Sequence, residues 1–279
     1  MLSLSKSKGL KIAVWIFVAV FLVITIFPFF WIVITSFKPE VEIFSAHSYQ
    51  IIADNPTLEN FRIVIQEKGI MRAVKNSFVM STITMIYVVV VASMSAYIIS
   101  RFKFKGKTML MAFILGVSMF PQMTMVGPLF NMFYKLNMLN SYWVSLAYST
   151  ITLPLAVWIL IAHFNQVPLE LEDAAKVDGC TSMGILWKVV FPLAAPGIFT
   201  AAIMTFISAW NEYLLSCTMN VNESMQTVPV RLGYLQDQFT VYWGQICAAS
   251  VIVIIPTLII VLLCQKQIVS GIADGAVKG

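Results

Sequence analysis

The chain has 279 residues, of which 59% are hydrophobic and only 11% are charged, and its formal net charge is +5. Because soluble domains carry about 25% charged residues, this composition excludes an ordinary water-soluble protein and indicates a membrane protein. The positive residues lie in short segments beside apolar runs, so a nucleic-acid-binding surface is not expected.

Six apolar runs separated by polar segments predict an all-α polytopic membrane protein with six transmembrane helices. The first run is too long for the apolar core of a signal peptide and is interpreted as a membrane span. The predicted spans are residues 12–37, 76–100, 108–133, 143–164, 198–219 and 244–264. They divide the chain into an N-terminus (1–11), a membrane domain (12–264) and a tail (265–279).

Six spans place both termini on the same side of the membrane, and the distribution of charge selects the side. Lys and Arg residues concentrate at the N-terminus, in the segment 101–107 after the second span, in the segment after the fourth span and in the tail. Short cytoplasmic loops carry an excess of positive residues. The sequence therefore predicts a cell-membrane protein, embedded in the lipid bilayer, whose N-terminus and C-terminus are both cytoplasmic.

The segment 165–197, between the fourth and fifth spans, is the longest polar interruption in the second half of the chain. Its residues predict a helix, a turn and a second helix. Pro168 suits the first helical position, where its missing N–H is not needed. Glu172 and Lys176 are four residues apart, in the order that favours an ion pair on a helix. A cytoplasmic helix-turn-helix loop between spans four and five is thus expected.

The turn and the second helix have their own signals. Gly179 can adopt the left-handed conformation that ends a helix. Thr181 or Ser182 can cap the second helix, which is expected to end before Pro192.

One face of the first helix is predicted to be flat, because two of the four residues that share it at helical spacing are alanines, whose side chains are small. Two interpretations remain open at this point: a solvated helix between two spans, or a docking helix presented to another protein. The residues of this face are Leu171, Ala174, Ala175 and Asp178.

The same segment resembles a known family. Asp173-Ala174-Ala175 is followed after three residues by Gly179 and, after nine more, by Val189-Val190-Phe191-Pro192. This spacing is similar to the cytoplasmic pattern Glu-Ala-Ala, three residues, Gly, nine residues, Ile-x-Leu-Pro of permease subunits of binding-protein-dependent ABC importers. Asp replaces Glu, Val replaces Ile and Phe replaces Leu, each conservatively in charge or bulk.

Two further sequences extend the resemblance towards carbohydrate importers, and in particular towards their smaller, maltose-permease-type subunit. They are Trp210-Asn211-Glu212-Tyr213 and the tail Gly275-Ala276-Val277-Lys278-Gly279. The resemblance implies a permease subunit that translocates a carbohydrate, such as an oligosaccharide or a polyol-type solute, delivered by an extracytoplasmic binding protein.

The resemblance also implies a complex. Its other members would be a second homologous permease subunit and two cytoplasmic ATPase subunits, which would bind ATP and Mg, so that this chain itself binds no cofactor and is not an enzyme. The implied ATPase-docking residues are Leu171, Glu172, Asp173, Ala174, Ala175, Asp178 and Gly179.

Glu212 is the one carboxylate well inside a predicted span, where an ionisable group is costly and faces a protein interior or a wet cavity. It can be a buried polar group that fixes the fifth helix against its neighbours, or part of a translocation pathway. In the second case Trp210, Asn211 and Tyr213 would suit contact with a sugar. The alternative function is an ion-gradient-driven secondary transporter that uses Glu212, although the internal repeats typical of that class are missing.

Other chemistry is not supported by the sequence. Gly106-Lys107-Thr108 matches the end of a phosphate-binding loop, but Arg101 stands where the loop requires its first glycine. The four cysteines lack metal-type spacing and the two histidines are far apart, so no metal site is expected.

Overall fold

The computed structural model describes residues 8–236 and 240–276 of the chain, and most of these residues are helical. Single 3-10 turns (Tyr142–Val144 and Glu223–Met225) precede α7 and α13, and a π-helical turn (Leu186–Val190) joins α9 to α10. The helices are α1 (Lys8–Ser36), α2 (Glu40–Ile43), α3 (Glu59–Gln66), α4 (Ile70–Arg101), α5 (Lys107–Ser118), α6 (Gln122–Lys135), α7 (Ser145–Phe164), α8 (Leu169–Val177), α9 (Ser182–Ile185), α10 (Phe191–Leu193), α11 (Ala195–Trp210), α12 (Leu214–Met219), α13 (Val228–Gly233) and α14 (Trp243–Ala276).

Within the described residues, four helices are long and apolar enough to cross a membrane, and two sharply bent helix pairs raise the number to six if each pair is one span. The single helices are Gly9–Ser36, Ile70–Arg101, Tyr142–Phe164 and Trp243–Leu262. The bent pairs are Lys107–Ser118 with Gln122–Lys135, at 96°, and Ser182–Leu193 with Ala195–Trp210, at 86°. The predicted all-α membrane fold is confirmed.

Two predicted spans are interrupted. The third bends where Pro121 precedes the first residue of α6, whereas Pro128 is accommodated inside α6. The prediction of one continuous fifth helix over 198–219 is wrong, because α11 ends at Trp210 and α12 begins only at Leu214.

Two helices are longer than the membrane spans predicted from hydrophobicity. α4 begins at Ile70, before the predicted start at 76, and α14 continues to Ala276, beyond the predicted end at 264. Apolarity limits the membrane-embedded part of a helix but not the helix itself, and Gln265, Lys266 and Gln267 are good helix formers. The predicted tail is therefore helical as far as Ala276, and residues 277–279 lie outside the described residues.

Contacts divide the chain into two units. The first contains the residues up to Ile70 together with Leu232–Ile255. In this unit the carboxylate of Glu40 accepts a hydrogen bond from the N–H of Gly244 (2.9 Å) at the start of α14. Burial raises the pKa of the Glu40 carboxyl, and the backbone N–H groups around Gly244 act in the opposite direction. Its apolar core consists of Val64, Ile70, Leu235, Ala248 and Ala249.

The second unit contains Met71–Arg231 and the residues from Pro256 onwards. Its larger core joins α4, α7 and α11 to the segment between the fourth and fifth spans. Apolar side chains of this otherwise polar segment are therefore packed in the core. The members that the segment contributes are Val167, Ala175, Ile185, Leu186, Val190 and Ala194. A smaller core joins α4, α6, α7, α11 and α12, and consists of Met80, Phe133, Val144, Ala147, Tyr148, Ala209, Leu215 and Met219.

Candidate functional site

The predicted first helix of the segment 165–197 is α8, and its two ends are formed by local sequence. Pro168 is the residue immediately before the helix, in extended conformation, rather than its first helical residue as predicted. The helix ends because Gly179 has a φ of +83°. The N–H of Gly179 donates to the carbonyl of Lys176 (3.0 Å), and the N–H of Cys180 donates to that of Ala175 (2.9 Å). This pair of hydrogen bonds is a Schellman ending.

The second helix begins as predicted but ends later. The Thr181 hydroxyl accepts a hydrogen bond from the N–H of Gly184 (3.2 Å) and caps α9. The prediction that the helix ends before Pro192 is wrong, because the helix continues to Leu193. A π-helical turn precedes Pro192, with the N–H of Phe191 bonded to the carbonyl of Leu186, five residues back. This wider turn relieves the clash that a proline ring makes with the carbonyl four residues back in an α-helix.

Some residues of the face predicted for docking are exposed to solvent, and others are buried in the core. Ala175 is buried in the larger core, and Glu172, also predicted for docking, is only 2% exposed. Leu171, Ala174 and Asp178 are exposed, as predicted for a docking surface. The full set of exposed residues in α8 and its final turn is Leu169, Glu170, Leu171, Asp173, Ala174, Lys176, Val177, Asp178 and Gly179.

The predicted ion pair between Glu172 and Lys176 is not formed. Lys176 instead pairs with Asp173 (2.8 Å) on the exposed side of the helix. Glu172 points inward and pairs with Arg101, the last residue of α4 (2.5 Å between Nε and Oε1). The docking role of the exposed residues stays a prediction, whereas Glu172 and Ala175 belong to the interior of this chain.

Arg101 connects three elements through one guanidinium group. Besides its bond to Glu172, its Nη2 donates to the carbonyl oxygens of Phe164 (2.6 Å) and Val167 (3.2 Å) at the end of α7. The Tyr97 hydroxyl donates to the second oxygen of Glu172 (3.2 Å). Because the Arg101 side chain is only 9% exposed, removal of either charge would leave the other buried and unpaired, which costs about 3–5 kcal/mol.

The second predicted site, Trp210-Asn211-Glu212-Tyr213, coincides with the break between α11 and α12. The structure does not bring the four side chains to one surface. Trp210 is buried and stacks on Phe206, whereas Asn211 and Tyr213 are exposed. Glu212 is buried, with 7% of its surface exposed. Their role in a translocation pathway stays a prediction.

The Glu212 carboxylate accepts hydrogen bonds from both interrupted spans, the third and the fifth. Its Oε1 accepts hydrogen bonds from the N–H of Leu215 (2.8 Å) and from the side-chain amide of Gln122 (3.0 Å). Its Oε2 accepts from the N–H of Ser216 (2.9 Å). The carboxylate thus satisfies the free N–H groups at the start of α12 and holds the first residue of α6. This geometry matches the interpretation of Glu212 as a buried polar group that fixes the fifth helix against its neighbours.

Sequence reasoning does not identify two of the side chains that form these contacts. It treats Arg101 as a cytoplasmic positive charge that also excludes a phosphate-binding loop, and it does not single out Gln122. An arginine directly after an apolar run was the available signal for Arg101, but nothing in the pattern identifies its partner. Within residues 8–236 and 240–276, no group of three His, Cys, Asp or Glu side chains could hold a metal ion.

Comparison with known proteins identifies the family. Residues 88–272 match the family described as binding-protein-dependent transport system inner membrane component. This match covers more than half of the chain and includes α8, the Arg101 network and the Glu212 break. The chain belongs to this family. It is a multi-pass permease of an ABC importer, which favours that function over the gradient-driven alternative.

Relatives of this permease are similar over nearly their full length. It is 36% identical over 263 residues to the sulfoquinovosyl glycerol transport system permease protein SmoH of Agrobacterium fabrum, which covers 94% of this chain and 92% of the relative. It is 36% identical over 261 residues to the trehalose/maltose transport system permease protein MalG of Thermococcus litoralis, covering 92% and 93%. The trehalose transport system permease protein SugB of Mycobacterium tuberculosis is also 36% identical, over 255 residues, covering 90% and 92%.

A solved structure has the same fold as the permease. A chain of a bacterial ABC transporter involved in the import of the acidic polysaccharide alginate superposes with a TM-score of 0.79. The match covers 93% of this chain and 98% of the other, at 19% sequence identity. At that identity the likeness establishes the fold alone.

Proposed function

We propose that this permease translocates a carbohydrate, an oligosaccharide or a polyol-type solute, delivered by an extracytoplasmic binding protein and driven by ATP hydrolysis on partner subunits. The named substrates of three relatives, sulfoquinovosyl glycerol, trehalose/maltose and trehalose, support a carbohydrate. The observation that carries the proposal is α8, a short helix with one exposed side, placed between the fourth and fifth spans inside the family-matched region.

In this proposal α8 is the docking helix for a cytoplasmic ATPase. Its exposed surface offers an apolar edge, Leu171 and Val177, beside the small side chain of Ala174 and the carboxylates of Asp173 and Asp178. A small residue between larger ones lets a partner approach the helix backbone closely. Closure of the ATPases around ATP would move α8, and the spans would alternate between inward-open and outward-open arrangements.

The complex is proposed to contain this permease, a second homologous permease, two ATPases and the binding protein. The first span supports a further membrane partner, because none of the residues in its most apolar stretch is buried within the described chain. Such a helix packs against lipid or another membrane protein. ATP and Mg would bind to the ATPases, since the sequence of this chain contains no complete phosphate-binding loop.

The orientation belongs to the same proposal. With both termini in the cytoplasm, α8 and the Lys- and Arg-rich segment 101–107 lie on the side where ATP is available.

Replacement of Ala174 by Trp tests the docking surface. We expect Ala174→Trp to reach the membrane in normal amount but to retain about tenfold less ATPase on purification, the loss typical of a central interface residue. Ala46→Trp, the same change at an exposed alanine between the first two predicted spans, is the matched control and should retain the ATPases. Full ATPase retention and full uptake in Ala174→Trp would contradict the docking assignment.

A second measurement tests the substrate. Mass spectrometry of the small molecules retained by the binding protein that co-purifies with this permease should detect a carbohydrate or polyol. A retained amino acid, peptide or metal ion would contradict the substrate class and leave the docking assignment intact.

A further inference from the structure

Glu172 lies on the proposed docking helix but points into the interior of this chain. It is the only carboxylate of α8 that is buried, and its two oxygens are bonded to Arg101 and Tyr97. The other acidic residues of the helix, Glu170 and Asp173, are exposed. Glu172 is therefore occupied by this chain and is not available for contact with an ATPase.

The orientation of α8 depends on few contacts. A helix of nine residues is too short to be stable by itself, so its position is determined by what it packs against. Glu172 and Ala175 lie one turn apart on the inward face, and they anchor the helix to α4 and to the larger core. The exposed pair of Asp173 and Lys176 is solvated and adds little to this anchoring.

Arg101, the other member of the ion pair, is also fixed by hydrogen bonds to the backbone. Arg101 is the last residue of α4, and the same guanidinium group binds the carbonyl oxygens of Phe164 and Val167 at the end of α7. A planar guanidinium can serve a carboxylate and carbonyl groups together, which a lysine in the same place could not do. One side chain thus fastens the second span, the fourth span and α8 to one another.

We propose that the buried ion pair of Arg101 and Glu172 is the joint that transmits movement of the docking helix to the second and fourth spans. Glu172 and Arg101 are then positioning residues for coupling and do not themselves bind the ATPase. This inference rests on the proposed docking function of α8. A force applied to the exposed face of α8 reaches the ends of α4 and α7 through a short, buried and charge-assisted contact, without passing through the flexible side chains of the helix surface.

The test uses the complete complex in proteoliposomes, with the binding protein isolated together with its native solute. The readout is the factor by which the loaded binding protein stimulates ATP hydrolysis, because this signal must cross the permease. We expect Glu172→Gln to retain its ATPases and its basal ATP hydrolysis but to lose stimulation by about fivefold or more, the lower range of measured coupling factors. Glu59→Gln is the matched control, since Glu59 pairs with Arg62 at 2.5 Å on an exposed surface.

Three outcomes overturn the inference. Normal stimulation in Glu172→Gln would mean that the ion pair does not transmit movement. Loss of the ATPases from an intact Glu172→Gln permease would place Glu172 in the docking contact itself. If Glu172→Gln does not assemble, Arg101→Lys decides, because it keeps the positive charge but cannot bind the carboxylate and the carbonyl groups together. Arg101→Lys should lower stimulation by about fivefold or more, and unchanged stimulation would overturn the inference.

The proposed function fails separately from this inference. A wild-type complex that contains no ATPase, or whose ATP hydrolysis does not respond to the loaded binding protein, would contradict the proposed function before any variant is compared.

Discussion

Gly197 and His163 are in direct contact where α11 passes the end of α7. A Cβ atom added to Gly197 would overlap the His163 ring, whose side chain is buried. The absence of a side chain at position 197 therefore allows the two helices to approach each other at this point, next to the segment that leads into α8. Close approach through a small residue is a common feature of membrane helices.

Gly197→Ala should destabilise the permease by about 1–3 kcal/mol, because the added methyl group overpacks a rigid, buried site. The measurement is the midpoint of thermal unfolding of the purified permease in nanodiscs. Gly116→Ala is the control, since Gly116 is exposed on α5 and nothing lies within 4 Å of an added Cβ. Equal midpoints for the two variants would mean that the contact of α11 with His163 adapts without cost.

At the level of the helices, the two interrupted spans share one carboxylate. Glu212 satisfies two N–H groups of α12 and also holds Gln122, the first residue of α6. Broken helices in membranes need such replacement partners, because a lipid environment supplies no water for free backbone groups. At the break after Trp210, the Glu212 carboxylate therefore supplies the hydrogen-bond acceptors that the free backbone N–H groups need.

Glu212→Ala should destabilise the permease by about 1–3 kcal/mol for the donors left without acceptors. Glu212→Gln keeps one acceptor oxygen and the side-chain volume, so its unfolding midpoint should lie between those of the wild type and Glu212→Ala. Both midpoints are measured in nanodiscs at neutral pH.

Uptake by the Glu212→Gln variant separates the structural role from the alternative of a coupling carboxylate. A structural role predicts that uptake in this variant follows the amount of folded permease. Complete loss of uptake in a fully folded Glu212→Gln permease would contradict the structural role.

Features that depend on residues close together in the chain can be predicted from the sequence, whereas contacts between distant residues cannot. The termination of α8 by Gly179 and the capping by Thr181 depend on neighbours within five residues, and the pattern identifies both, whereas it places the start of α8 one residue too early, at Pro168. The partners of Glu172 and Glu212 are 71 and 90 residues away along the chain, in Arg101 and Gln122. Periodicity describes which side of a helix is polar, but it does not identify which distant side chain meets that polar group.

For the whole molecule, the predicted orientation is the property that most constrains the function. Single cysteines that replace Asn137 or Asn222 should react with a membrane-impermeant thiol reagent in intact cells. Cysteines that replace Lys105 or Asp178 should react only after the cells are permeabilised. All four positions are exposed in the structure, so burial does not account for a difference between them.

Two checks accompany the labelling experiment. All four variants must be labelled in detergent, where the membrane no longer restricts access. Reaction at Lys105 or Asp178 in intact cells would mean that the orientation is inverted and that α8 faces away from the ATP-containing compartment.

The π-helical turn at Leu186–Val190 makes the length of this segment important for the helix that contains Pro192. A π turn contains one residue more than an α turn, so deleting a single residue there would remove the surplus residue and leave an ordinary α-helical turn. The Pro192 ring would then clash with the carbonyl four residues back. The number of residues between Gly179 and Val189 therefore determines whether the helix can contain Pro192 without this clash.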